Sequence, residues 1–233
     1  MRHHNWIRAG LISLTALGLA ACNDDEPALA PPPAASIPPA DTFALTSANK
    51  LVSFPRSSPS FVTTLGTVSG LGAGETIIGI DFRPIGGLLH AVTRDASNNG
   101  RVYTLSTASG AATQVCTFTP ALSGTEFGVD FNPAADRLRV ISDSGQNLRI
   151  NPTPAAGVCA VNTDTALSLA GVAATGVSGT AYTNAFGTAC RTTQFYINNT
   201  QLLTTSNPNA GTLTVVGPLG STGAGINGFE VVT

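Results

Sequence analysis

Gly79-Ile80-Asp81-Phe82, Gly128-Val129-Asp130-Phe131, Gly179-Thr180-Ala181-Tyr182 and Gly228-Phe229-Glu230-Val231 are four versions of one short motif. Successive glycines lie 49, 51 and 49 residues apart. Nearly equal periods of this length indicate a chain assembled from repeated supersecondary units, each needing its neighbour to cover an apolar face. A sandwich has no reason to keep such a period, and an open β-solenoid does not explain the ends of this one.

Around each motif the chain alternates β-branched and aromatic runs with Gly, Asn, Asp and Pro. In the first unit, residues 76–82, 88–93, 101–105 and 111–118 are predicted strands, separated by turns at 83–87, 95–100 and 106–110. The second unit repeats this with 127–131, 137–142, 147–151 and a short strand near Val158. The third is looser, with 180–184, 194–198, 201–205 and 212–217. No helical apolar period follows the first 22 residues.

The ends complete one another. Residues 43–46 match the second strand of a unit, 50–54 the third and 61–68 the fourth, whereas 228–232 match a first strand with nothing after it. The expected fold is therefore all-β: a small β-propeller of about four four-stranded blades, closed by strands from both termini. The runs GETIIGIDFRP (74–84), GRVYTLSTASGAAT (100–113), EFGVDFNPAADRLRVISDSGQNLRINP (126–152), GVSGTAYTN (176–184) and NPNAGTLTVVGPLG (207–220) resemble a bacterial family defined only by a domain of unknown function. The resemblance covers residues 43–232. It implies an exported protein with propeller-like repeats, and it assigns no activity and no catalytic residue.

The first segment is an address. Arg2 and Arg8 precede an apolar stretch from Ala9 to Ala21, too short to span a bilayer, which ends in Leu19-Ala20-Ala21-Cys22. This resembles the lipobox of bacterial lipoproteins and implies cleavage before Cys22 and lipidation of Cys22 itself. Residues 1–21 are thus a lipoprotein signal peptide, 22–40 a lipidated Cys with a Pro/Ala-rich tether, and 41–233 the propeller-like domain. Asn23, rather than Asp, follows the Cys and points to the outer membrane. The protein is expected to be exported and held to the membrane by this lipid anchor.

Eleven Lys and Arg stand against 13 Asp and Glu, for a net charge of −2. With one Lys and no basic stretch, the chain has no electrostatic footprint for nucleic acid. Removing residues 1–21 removes Met1, His3, His4 and Trp6 and leaves His90 as the single His. A His-rich zinc site is excluded.

Four groups of residues merit a chemical reading. Asp81, Asp130 and Glu230 hold equivalent places in first strands, where they would converge on the propeller axis. Such oxygens suit Ca²⁺ or another hard cation, but the favoured reading is that each accepts a hydrogen bond from the neighbouring blade. Arg137 and Arg139 share one face of a strand, with Arg149 one strand over. They would clamp an anion bidentately, or form ion pairs with Asp136, Asp143 and Asp130. His90 lacks partners for general-base work and is expected to be structural. Cys116, Cys159 and Cys190 allow one bridge, read as Cys159–Cys190, because Cys116 and Cys159 end fourth strands of different blades.

Three functions compete. The favoured one is a lipid-anchored binding or scaffold module for an unknown protein, peptide or envelope polymer. The second is a metal-dependent hydrolase or lactonase-like enzyme on the axial carboxylates, and the third a purely structural envelope protein.

Overall fold

Strand-forming residues meet turn-forming residues in the order the sequence suggests. In a computed structural model, residues 40–220 and 228–232 are described. The signal, Cys22 and most of the tether lie outside them. No helix among the described residues is long and apolar enough to cross a membrane.

The protein is all-β. The strands are β1 (Thr42–Leu45), β2 (Lys50–Phe54), β3 (Thr63–Thr67), β4 (Thr76–Phe82), β5 (Leu89–Arg94), β6 (Gly100–Leu105), β7 (Ala112–Phe118), β8 (Phe127–Asn132), β9 (Arg137–Ser142), β10 (Asn147–Ile150), β11 (Val161–Thr163), β12 (Ser168–Leu169), β13 (Val172–Ala173), β14 (Gly179–Tyr182), β15 (Gln194–Ile197), β16 (Gln201–Thr204) and β17 (Thr212–Pro218). Sheets β4-β5-β6-β7 and β8-β9-β10-β11 are antiparallel four-stranded meanders. The third runs β14-β15-β16-β17 and continues through β12 and β13 to six strands, and β1-β2-β3 is three-stranded.

Period-2 alternation explains how these sheets stack. On β5, Leu89 and Ala91 join a core with Leu51, Tyr103 and Leu105, facing the first sheet. Val92, on the opposite face of β5, joins Phe127, Phe131, Leu138 and Val140 of the next sheet. Across β9, Ile141 enters a third core with Tyr196, Leu203 and Leu213. Each core thus lies between two successive sheets, and the middle sheets are buried on both faces.

Strand β8 lies between β4 and β14. The motif glycine allows the approach: a Cβ on Gly128 would stand 2.6 Å from Thr180 N and 2.8 Å from Gly179 C. Fixed backbone cannot yield to a methyl group there.

The outer strands are joined differently. Ser69 makes a parallel bridge to Ala111, Thr117 to Val158, and Ser168 to Thr212. At each joint a backbone N–H donates to a glycine carbonyl: Ser69 to Gly110 (3.3 Å), Thr117 to Gly157 (3.0 Å) and Ser168 to Gly211 (2.8 Å). All three glycines have positive φ, at 76°, 77° and 67°, a conformation that costs an L side chain energy. The tail of one sheet's outer strand therefore runs beside the turn that opens the next.

This corrects two expectations. The fourth strand of the second unit is Val161–Thr163, because Val158 is occupied by its bridge to Thr117. Cys159 bonds Cys116, not Cys190, with Cα atoms 5.6 Å apart. Twist carries the end of β7 round to the 155–159 turn of the next sheet, so these cysteines are neighbours.

A third difference concerns the end of the chain. The ladder expected between residues 228–232 and Thr42–Thr46 is not formed: β1 pairs with β2, and 228–232 carry no strand. Side chains place this segment instead, through Phe229, whose Cβ would be 3.1 Å from a Cβ on Gly179, and through Glu230.

Candidate functional site: a carboxyl cluster between the first strands

Asp81 sits one residue from the end of β4, and Asp130, at the same place in the motif, two residues from the end of β8. Asp81 accepts from its neighbour Phe82 N and from Phe131 N of the next sheet, both at 2.7 Å. Asp130 repeats the second contact, accepting from Tyr182 N at 3.2 Å. Each first strand thus gives a carboxyl oxygen to the backbone of the next. Ala181, the equivalent residue of β14, cannot continue the relay.

Glu230 turns its carboxyl group toward the same place. One carboxyl oxygen from each of Asp81, Asp130 and Glu230 lies within 4.8 Å of the others. Burial pushes the Asp81 carboxyl well above the usual range, and the Glu230 charge adds to this. Asp130 is raised by burial and then by the charges of Asp81 and Glu230. Its hydrogen bond with Glu230 favours the proton on Asp130, although burial still raises Glu230. Burial first, and the like charges of neighbouring carboxyl groups second, favour protons on the cluster.

The pH dependence follows from these directions. A raised folded-state carboxyl contributes stability that is present below its unfolded value and lost as pH rises through its folded value. Asp130→Asn mimics the protonated form: Oδ1 still accepts from Tyr182 N and Nδ2 donates to Glu230. We expect the variant to gain on the order of 1–2 kcal/mol over the unaltered protein at pH 8, about 2–8 °C in Tm, and nearly nothing at pH 4. Taking the difference between the two proteins removes the opposite trend from carboxylates held low, such as Asp136 beside Arg83. A difference that stays flat from pH 4 to pH 8 would refute proton sharing.

The second candidate cluster closes on itself. Arg139, 2% exposed, donates from Nε to Tyr182 Oη (3.2 Å), from Nη1 to Asn147 Oδ1 (2.8 Å) and Asp164 Oδ2 (2.6 Å), and from Nη2 to Asn209 Oδ1 (2.9 Å). Arg149 holds Asp164 through Nε (3.1 Å) and Nη2 (3.0 Å). The carboxylate that Arg139 and Arg149 clamp is therefore the protein's own. Burial works against the charge of Asp164, but hydrogen bonds from Arg149 and Arg139 outweigh it and hold the carboxyl low. Arg137 is not part of the clamp: its Nη1 donates to the Ala135 and Asp136 carbonyls.

The expected acidic partners are engaged elsewhere. Asp136 pairs with Arg83 (Nε to Oδ1, 2.7 Å), and Asp143 accepts from Thr125 N at 2.8 Å and Thr125 Oγ1 at 2.6 Å. Asp164 and Asn209 carry no sequence signal, since a lone Asp or Asn in a polar turn has no spacing to mark it. His90 is buried, with Nδ1 2.9 Å from the Leu88 carbonyl and its ring edge-on to Phe131 at 5.1 Å. Burial lowers its pKa, so it is a neutral packing residue at pH 7.

No curated protein matches the chain at a meaningful level. A family described as "Domain of unknown function (DUF4394)" matches residues 50–233, a span that holds the carboxyl cluster, the Arg139 network and all three outer joints, so the chain belongs to that family.

Proposed function

We propose that this protein is a lipid-anchored envelope module whose repeat units close into a small four-unit propeller and act as a binding scaffold. One observation carries the reading: Asp81, Asp130 and Arg139 spend their polar atoms joining one sheet to the next. Residues so employed build a rigid support for surface loops. Closure is supported by the C-terminal segment, which reaches back to the first strands: Glu230 meets Asp81 and Asp130, and Phe229 approaches Gly179.

The lipobox-like end at Cys22 supports anchoring in the outer membrane. The expected result is that Cys22→Ser releases the protein from the membrane fraction into the soluble one, while crosslinking in cells joins the unaltered protein to a defined neighbour. A variant that still sediments with membranes after a high-salt wash would refute the anchor, and no reproducible crosslinked partner would refute the scaffold.

The rival is a metal-dependent hydrolase, favoured by the convergence of three carboxyl groups. Against it, Asp81 already gives both oxygens to backbone N–H donors. A Ca²⁺-dependent rise in Tm would favour the rival, because an ion that binds only the folded state must stabilise it.

A further inference from the structure

Strand direction sorts the exposed apolar side chains. Strands β4 and β14 end in the turn 83–88 and the loop 183–193, at the end of the molecule where the carboxyl cluster lies. These segments touch: a Cβ on Gly187 would be 3.1 Å from the Pro84 carbonyl oxygen and 3.7 Å from Ile85 Cα. Ile85 and Leu88 on one, and Phe186 on the other, are 46%, 58% and 42% exposed. Val232, two residues beyond Glu230, is 56% exposed. Large apolar side chains gathered on adjoining loop tips mark a contact surface.

Two observations say what covers it. Strand β1 begins at this same end, since Phe43 packs on Phe82, the last residue of β4. The chain that leads back toward Cys22 therefore departs from beside these loops. Seventeen residues separate Cys22 from Ala40, a reach of up to about 60 Å fully extended, so an anchored domain can lie on the bilayer with this end down. The second observation is charge. The neighbouring Arg83 is paired with Asp136, and Arg56 with Asp41. Arg83 and Arg56 are thus neutralised internally, which suits a lipid interface better than an acidic protein partner.

We propose that the loop tips carrying Ile85, Leu88 and Phe186 rest in the lipid headgroup region, fixing the domain with this end on the membrane and its opposite end outward. The inference rests on lipidation of Cys22. The turns at the opposite end suit exposure to water: Asp95, Asn98 and Asn99 fill one of them.

The test uses the protein's own lack of Trp. Trp6, the single Trp, lies in the signal segment, so the mature chain has none. Phe186→Trp places one fluorophore on the proposed face, and Val215→Trp places one on the outer strand β17, where Val215 is 50% exposed. Each full-length protein is expressed with its signal, purified, and reconstituted into phosphatidylethanolamine/phosphatidylglycerol vesicles with brominated acyl chains. The mass of the mature chain reports lipidation separately.

The expected result is at least twofold quenching of Phe186→Trp with little change at Val215→Trp. Equal quenching of the two in a lipidated protein overturns the orientation while the anchor stands. A mature chain without lipid overturns both. An Ile85→Ser/Leu88→Ser pair in the Phe186→Trp background should restore most of the fluorescence, and unchanged quenching would mean these tips do not hold the face down.

Discussion

Arg139→Met is expected to destabilise the domain by about 3–5 kcal/mol, the usual cost of stripping one partner from a buried ion pair. The Met side chain follows the aliphatic part of Arg139 and stops short of the guanidinium, so most of the loss is polar rather than apolar packing. What remains is Asp164, 8% exposed, held only by Arg149, with Tyr182, Asn147 and Asn209 each lacking a donor. Asn147 Nδ2 also donates to the Thr165 and Pro208 carbonyls, both at 3.0 Å, so two loops of the third sheet would loosen together. Arg139→Lys should recover little, because an ammonium cannot present the guanidinium fork that reaches four acceptors. Urea unfolding of the three proteins checks this, and a loss below about 1 kcal/mol for Arg139→Met would remove the network from any account of stability.

Cys116→Ser with Cys159→Ser is expected to cost a similar amount, about 4 kcal/mol on the chain-entropy estimate for a closed loop of 43 residues. The bridge secures the middle one of the three outer joints, where Thr117 N donates to Gly157 and Cys159 N donates to the Thr117 carbonyl at 2.9 Å. Without it the joint keeps only these backbone bonds, as at Ser69 and Ser168. The urea midpoint of the double variant should therefore fall clearly below that of the oxidised, unaltered protein. Equal midpoints for the oxidised protein and the variant would contradict this.

Sequence and structure agree where repetition and alternation are strong. In the first two units the strand starts except that of β11, the Arg137/Arg139 face and the relay positions Asp81 and Asp130 were legible to within a residue, because Asn, Asp and Gly turns separate runs of alternating burial. The hairpin β12–β13 was not. Its strands are two residues each about Ala170 and Gly171, too short for any period to register.

The outer joints were hidden for another reason. Gly110, Gly157 and Gly211 lie 47 and 54 residues apart, off the period of the inner motif, because the turns before the outer strands vary in length. The cysteine pairing failed on geometry: counted along a flat sheet, Cys116 and Cys159 belong to separate rims, and only twist brings a strand's end to the next sheet's turn. Asp164 was invisible because its role depends on two arginines from different strands, and nothing in its own neighbourhood announces them.

The first sheet is also where mechanical load would enter. Any pull on the chain from its N-terminal side meets Asp41 before β1. Asp41 is tied to Arg56, whose backbone N and Nε donate to its two oxygens at 2.7 and 3.0 Å. This latch is exposed and weak, as surface ion pairs are, so it behaves as a fuse. Once it opens, β1 peels from β2 one pair at a time, from Thr42–Phe54 toward Leu45–Leu51, as a zipper rather than a patch sheared all at once. The tear would begin by lifting Phe43 from Phe82, while the Cys116–Cys159 bridge keeps the β4–β7 and β8–β11 sheets joined. Force is then spent on four residues that can zip back, and the rest of the fold is spared.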